Sequence, residues 1–154
     1  MNVIGIDPSL SCTGWAMMDG QKLLTWGHIK TKPGNHGRQL VQIQHEITQV
    51  LIGHDGEVAL EWPYYAKNIK TTITLGEVRG IILAVCEHCG ITPASYSPSE
   101  VKQAVGCKGN ASKQQVGQMV RALTGAEGLT EDESDAVAVA MCHASRMRGN
   151  NNAS

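Results

Sequence analysis

Residues 1–20, MNVIGIDPSLSCTGWAMMDG, contain two apolar runs separated by an aspartate, a proline and a short polar stretch. The first run, residues 3–6, is continuously apolar, which is typical of a strand covered on both faces. It ends at Asp7, and an unpaired carboxylate beside a buried strand is costly. We therefore expect Asp7 to have a function at the end of a central strand.

The remaining elements are predicted from apolar periodicity and turn signals. Residues 13–18 and 21–29 form two further strands, joined by a hairpin turn at Asp19-Gly20. Helices and strands then alternate, which predicts an α/β domain with a mixed five-stranded sheet and helices on both faces. The other predicted strands are 57–61 and 92–96, and the predicted helices are 38–52, 68–88, a short one after Ser97, 111–123 and 132–147.

The composition is that of one globular domain, with 154 residues, 42 % apolar and 18 % charged. We place this domain at 1–148 and predict a disordered polar tail at 149–154. No apolar stretch approaches the ~20 residues of a membrane span and no signal peptide is evident, so a cytoplasmic location is expected. Without an export signal the cysteines are expected to be reduced. Cys86 and Cys89 have the spacing of a zinc half-site, but no second pair follows, so buried thiols on a helix are expected there.

Four carboxylates stand at positions that the predicted topology could bring together. Asp7 and Glu61 each end a strand, and Asp132 and Asp135 are three residues apart near the start of the last helix. Each has a structural explanation alone: a strand end for Glu61, or a helix-dipole partner for Asp132 and Asp135. Together they predict a site for Mg²⁺, a cation that prefers oxygen ligands.

Five ordered motifs resemble one known family over nearly the whole chain. The motifs are GIDPSLSCTGWAM at 5–17, ALEWPYYAKN at 59–68, LGEVRG at 75–80, VKQAVGCKGNASKQQVGQMV at 101–120 and DESDAVAVA at 132–140. They resemble the RuvC family of Holliday-junction resolvases. The wording departs from the bacterial pattern at Ser9-Leu10 and Trp62-Pro63, which would suit a phage or otherwise divergent member.

The resemblance implies an RNase H-like fold, a homodimer and Mg²⁺-dependent symmetric nicking of four-way DNA junctions. It also implies that the catalytic and metal-binding carboxylates are Asp7, Glu61, Asp132 and Asp135. Lys102 and Lys113 match the family's two functional lysines, and Tyr64 matches the aromatic residue placed near the unpaired bases of the junction. Two Mg²⁺ ions per site, replaceable by Mn²⁺, would activate a water and stabilise the leaving oxygen.

Basic and aromatic residues supply candidate DNA contacts. Trp62, Tyr64 and Tyr65 follow Glu61 closely, and such rings can stack on bases or pack in a core. Lysines near this loop and in residues 101–124 can contact phosphates or simply be solvated. The candidates are Tyr64, Lys67, Lys70, Lys102, Lys108 and Lys113, and Lys113 is also a candidate catalytic residue beside the cleaved phosphate.

Three other functions fit parts of the sequence. Gly5-Ile6-Asp7 followed by small polar residues also suits the phosphate loop of actin-like ATPases, but a second nucleotide loop and a second domain are missing. A non-catalytic branched-DNA binding module is disfavoured by the four acids, which weaken DNA binding unless a metal neutralises them. A nuclease of the same fold acting on forks, flaps or RNA–DNA hybrids is the strongest alternative.

Overall fold

The computed structural model describes residues 1–62 and 68–151 of the chain. These residues form a mixed sheet of five strands in the order β3-β2-β1-β4-β5. β1 is central: it pairs antiparallel with β2 and parallel with β4, and β5 extends the parallel half. The strands are β1 (Asn2–Asp7), β2 (Cys12–Asp19), β3 (Lys22–Lys30), β4 (Glu57–Glu61) and β5 (Ala94–Tyr96).

Five helices cover this sheet within the described ranges. They are α1 (His36–Leu51), α2 (Ile69–His88), α3 (Pro98–Ala104), α4 (Lys113–Thr124) and α5 (Glu131–Asn151). The predicted α/β class and element order are therefore confirmed. The predicted hairpin turn was one residue early, because Asp19 still pairs with Lys22 and the two-residue loop is Gly20-Gln21.

The side chains of β1 alternate between two separate cores, as the period of two in a strand requires. Val3 packs on the face covered by α3, α4 and α5. Ile4 and Ile6 pack on the opposite face, with the buried positions of α1 and α2. Helices therefore lie on both faces of the sheet, which accounts for the continuous apolar run at residues 3–6.

Two glycines let α5 lie directly against the sheet. A Cβ at Gly5 would overlap the backbone of Ala136 and would lie 2.9 Å from the Cα of Ala140. A Cβ at Gly14, on β2, would overlap the backbone carbonyl of Asp132. Since close approach of two backbones requires residues without side-chain bulk, Gly5 and Gly14 set the position of α5.

The C-terminal boundary differs from the expected one at 148, because α5 continues to Asn151. The division into a domain over 1–148 and a tail over 149–154 otherwise stays a prediction. No helix in the described ranges is both long and apolar enough to cross a membrane.

Candidate active site

Asp7 and Glu61 lie side by side at one edge of the sheet. β1 and β4 are parallel, and their last paired residues are Ile6 and Leu60. Each carboxylate is the next residue along its strand, and carboxyl ends of adjacent parallel strands meet at the same sheet edge. Both side chains remain partly exposed there, so the edge presents two neighbouring carboxylates to the surface.

α5 brings the other two predicted carboxylates to the same edge. The helix begins beside the end of β1, and its contact with Gly14 fixes the backbone of Asp132. Asp132 lies in the first turn and Asp135 three residues later, so both share one helix face. The fold therefore gathers all four acids into one acidic cluster, defined as Asp7, Glu61, Asp132 and Asp135.

The charges of the acidic cluster disturb one another. Burial raises the pKa of Asp7 well above its usual value, and the negative charges of Glu61 and Asp135 raise it further. Burial likewise raises the pKa of Glu61, followed by repulsion from Asp135, while a hydrogen bond with Asp7 opposes the rise. Both rises come mainly from burial and from repulsion among the acids, and a bound cation would relieve that repulsion.

Lys113 supplies a positive charge to this cluster. The Lys113 ammonium donates a hydrogen bond to Asp135 Oδ2 at 2.9 Å and lies 3.2 Å from Glu131 Oε1. Desolvation alone would lower the pKa of Lys113, but the bonds to Asp135 and Glu131 raise it on balance. Ser112 caps the N-terminus of α4 in a capping box with Gln115, which places Lys113 at the first helical position.

The donor chemistry of the cluster fits a hard divalent cation, because carboxylate oxygens are preferred ligands and their mutual repulsion favours a bound positive charge. Within residues 1–62 and 68–151, however, no three His, Cys, Asp or Glu side chains are already arranged around one ion position. In this structure the Lys113 ammonium supplies positive charge beside Asp135. An ion that uses Oδ2 of Asp135 as a ligand would compete with Lys113 for that oxygen.

The sequence reasoning missed the role of another acid of α5, Glu133. Its Oε2 accepts a hydrogen bond from the Thr130 backbone N–H at 2.8 Å, and its Oε1 lies 2.8 Å from His28 Nδ1 on β3. Burial alone would raise the pKa of Glu133, but these hydrogen bonds lower it. The T-x-x-E spacing at 130–133 was the available signal for this cap, which ties the start of α5 to the sheet.

Cys12 was also missed as a neighbour of the acidic cluster. Burial raises the pKa of the Cys12 thiol to about 11, and a hydrogen bond with Asp132 adds to the rise. At the start of β2, Cys12 pairs across the sheet with Lys30. The cysteine therefore stays a neutral thiol between Asp132 and β3.

The predicted DNA-contacting residues have different positions. Lys102, on α3, is half-buried and close enough to Glu61 for its charge to lower the pKa of that carboxyl, although burial keeps the pKa raised. Lys108 is exposed between α3 and α4, and Lys70 is exposed in the first turn of α2. Tyr64 and Lys67 lie outside the described residues.

Trp62, directly after Glu61, is exposed, with 53 % of the residue's surface accessible to solvent. Its backbone N–H donates to the Tyr96 carbonyl at 2.7 Å, and the Arg79 guanidinium carbon lies 4.4 Å from its ring centroid. Arg79 is itself buried and donates to Ser95 Oγ at 2.8 Å. A buried cation therefore supports one face of the indole ring.

Comparisons with known proteins agree with this architecture. Residues 3–143 match the family model described as crossover junction endodeoxyribonuclease RuvC. A protein of that name from Moorella thermoacetica is 38 % identical over 153 residues, covering 94 % of this chain and 92 % of the relative. The protein of that name from Caldicellulosiruptor saccharolyticus is 34 % identical over 152 residues, covering 93 % of this chain and 92 % of the relative.

Solved structures are similar over the same extent. The structure of Thermus thermophilus RuvC in complex with Holliday junction substrate superposes with a TM-score of 0.86 at 28 % identity. The match covers 97 % of this chain and 96 % of that chain. A second Thermus thermophilus RuvC structure gives a TM-score of 0.85 at 27 % identity. The chain therefore belongs to the RuvC family of crossover junction endodeoxyribonucleases.

Proposed function

We propose that this protein is a structure-selective DNA endonuclease that resolves four-way junctions by paired symmetric nicks. The observation that carries the proposal is the juxtaposition of Asp7 and Glu61 at the ends of adjacent parallel strands, with Asp132 and Asp135 brought to them by α5. Family membership and the similarity to a RuvC structure with Holliday junction substrate support the substrate.

We propose that Asp7, Glu61, Asp132 and Asp135 hold two Mg²⁺ ions, with Mn²⁺ able to substitute. When bound, the ions activate the attacking water and stabilise the leaving oxygen. The strand ends fix Asp7 and Glu61 on rigid backbone, which suits a site that must orient its ligands closely. Because the pKa values of Asp7, Glu61 and Asp135 are raised, protons compete with the ions for these carboxylates, and ion binding should weaken as the pH falls.

Lys113 is the proposed catalytic cation. In the metal-free protein its ammonium contacts Asp135 Oδ2. When ions neutralise the carboxylates, that ammonium becomes available to the scissile phosphate, where it stabilises developing negative charge. Lys102 of α3 lies near Glu61 and contributes a second positive charge at the same edge of the sheet.

The remaining contacts hold DNA rather than act on it. We assign phosphate contacts to Lys70 and Lys108, which are both exposed, and to Lys67. Tyr64 and Trp62 are the proposed stacking residues at the open centre of a junction. For Trp62 the support is its exposure and the Arg79 contact behind it, since a ring supported on one face can stack a base on the other.

We also propose a homodimer formed through α2. Its outward face carries Ile69 and Ile73, which are 79 % and 58 % exposed, followed by the exposed Gly76 and Gly80. This spacing of four, three and four residues makes one uncharged stripe suited to close helix–helix packing. A two-fold dimer matches the approximate two-fold symmetry of a four-way junction. Because the proposed substrate is DNA, we also propose a cytoplasmic location.

The function is tested with labelled four-way junction, fork, flap and linear duplex, each incubated with protein in Mg²⁺ or in EDTA. We expect paired nicks at symmetric positions in the junction, only when Mg²⁺ is present. Equal cleavage of every substrate would contradict resolvase activity, and preferential cleavage of forks or flaps would favour the alternative nuclease.

A further inference from the structure

A basic groove lies on the side of the sheet covered by α1. It is a cleft of about 470 Å³ between the end of β3 and the start of α1. Three cationic residues line it: Lys30, Lys32 and Arg38, all exposed. Its other lining residues are uncharged, and three of them, Asn35, Gln39 and Gln42, carry side-chain amides.

The cations of this groove form no ion pair in the part of the chain that the structure describes. None of the ion pairs found there includes Lys30, Lys32 or Arg38. The acids beside the groove have other partners: Glu77 pairs with His36, and Glu46 accepts from Gln42. A concave surface with cations and no acidic lining concentrates positive potential.

Buried hydrogen bonds hold the walls of the groove in place. Thr31, between Lys30 and Lys32, is buried; its backbone N–H donates to Ser11 and its hydroxyl donates to Leu10. The Gln39 side chain, also buried, donates to the Thr31 hydroxyl at 2.8 Å. Buried hydrogen bonds therefore connect α1 to the loop that follows Asp7, and little ordering is needed before a ligand binds.

The groove also continues toward the acidic cluster. A second cleft of about 440 Å³ shares Pro33, Gly34 and Gln39 with it, and is lined further along by Ser9, Ser11 and Lys70. On the other side, Lys30 pairs with Cys12, which is close enough to Asp132 for that carboxylate to raise the pKa of its thiol. Adjacent strands are only about 4.8 Å apart, so the basic groove begins close to the catalytic edge.

We propose that the basic groove binds the phosphate backbone of a second duplex segment of the junction. This inference rests on the proposed function and extends it. The lysines assigned so far on α3 and α4 lie on one face of the sheet. Arg38 is on α1, which covers the opposite face together with α2 and its Lys70, and Lys32 lies between β3 and α1. Each protomer would then bind DNA on both sides of the acidic cluster. The strand to be cut would therefore run across the carboxylates.

Phosphate is the chemistry that this surface recognises. Arg38 and the lysines supply charge, while the hydroxyls of Ser9 and Ser11 in the adjoining cleft supply neutral polar groups of the kind that commonly contact DNA backbones. Because no aromatic residue among those described lines the groove, bases cannot stack there. We therefore expect it to bind the DNA backbone without sequence preference.

The test is equilibrium binding of an intact four-way junction in EDTA, where no cutting occurs, over a series of salt concentrations. The variant is Lys32→Gln with Arg38→Gln, and the control is Lys22→Gln with Arg148→Gln, two exposed cations remote from the groove. We expect the groove variant to bind roughly tenfold more weakly, with a log–log salt slope smaller by about 2, since each lost phosphate contact removes about 0.9. The control should match the wild type.

An unchanged affinity and slope in the groove variant, with an unchanged thermal midpoint, would overturn the inference. So would an equal loss in groove variant and control, which would show only a non-specific effect of net charge. Failure of the proposed function is seen separately, as wild-type protein that binds junctions without cutting them in Mg²⁺.

Discussion

The Lys113 ammonium of α4 lies 2.9 Å from Oδ2 of Asp135 on α5. This contact links the start of α4 to the acidic cluster. Asp135 is half-buried, and the contact with it raises the pKa of Lys113. Lys113 therefore stays protonated throughout the physiological range. In the metal-free protein it partly offsets the repulsion among the carboxylates.

Replacing Lys113 with methionine should lower the nicking rate far more than junction binding. A cation stabilising the developing charge on a phosphate is worth roughly 10²–10³ in rate, whereas one lost phosphate contact weakens binding only a fewfold. Single-turnover nicking and EDTA binding measure the two effects. Lys22→Met is the control, since Lys22 begins β3 at the opposite edge of the sheet. Equal losses in rate and affinity would assign Lys113 to binding alone.

The substitution Gly14→Ala should displace the start of α5. Its Cβ would overlap the carbonyl of Asp132, and overpacking of this kind typically destabilises by about 1–3 kcal/mol. The nicking rate should fall as well, because Asp132 and Asp135 move with the helix. Thermal unfolding and single-turnover nicking are compared with Gly149→Ala, where an added Cβ meets no neighbouring atom. A Gly14→Ala protein with wild-type stability would show that the helix does not approach as described.

Replacing Asp7 with asparagine should stabilise the metal-free protein. The pKa of Asp7 is raised in the folded state, so the folded protein binds more protons than the unfolded chain above pH ~4. Wild-type stability therefore falls as pH rises from that value through the raised pKa. The variant should exceed the wild type by on the order of 1 kcal/mol at neutral pH, with less difference near pH 4.

Thermal unfolding in EDTA across this pH range measures that difference, with Asp55→Asn as an exposed control. Adding Mg²⁺ should raise the wild-type midpoint, because a ligand of the folded state stabilises it by mass action. The Asp7→Asn midpoint should respond much less. A control that behaves like Asp7→Asn, or a variant that Mg²⁺ stabilises as strongly as the wild type, would be incompatible with Asp7 as a ligand.

Trp62→Ala should weaken junction binding roughly tenfold, since one stacked base is worth about 1–3 kcal/mol. Trp62→Phe should retain most of the affinity because a ring remains above Arg79. The control is Trp26→Ala, which removes another exposed tryptophan, on β3 at the edge of the sheet. If Trp62→Ala and Trp26→Ala bind junctions equally well, Trp62 has no stacking role.

Much of this arrangement could be predicted from local patterns. The continuous apolar run before Asp7 and the short run before Glu61 are the signals of buried parallel strands, and the structure pairs them in that way. The i, i+3 spacing of Asp132 and Asp135 placed them on one helix face. The contact of α5 with the sheet was not predicted, because Gly5 and Gly14 were not recognised as the residues that allow it.

The missed features depend on contacts between residues distant along the chain. His28 and Glu133 are 105 positions apart, and only the folded sheet brings β3 beside the start of α5. Lys32 and Arg38 were not singled out, because in sequence they are ordinary surface charges flanking a loop. Their common groove depends on the buried Thr31–Gln39 hydrogen bond, which no periodicity in the sequence indicates.

The central claim is that the acidic cluster around Asp7 cuts junction DNA. Its most direct test is single-turnover cleavage of a four-way junction, labelled on each strand in turn, by wild-type protein, Asp7→Asn and Asp55→Asn in Mg²⁺. We predict paired symmetric nicks from the wild type and Asp55→Asn, and a junction bound but uncut by Asp7→Asn. Nicking by Asp7→Asn at a rate near that of the wild type would contradict the account.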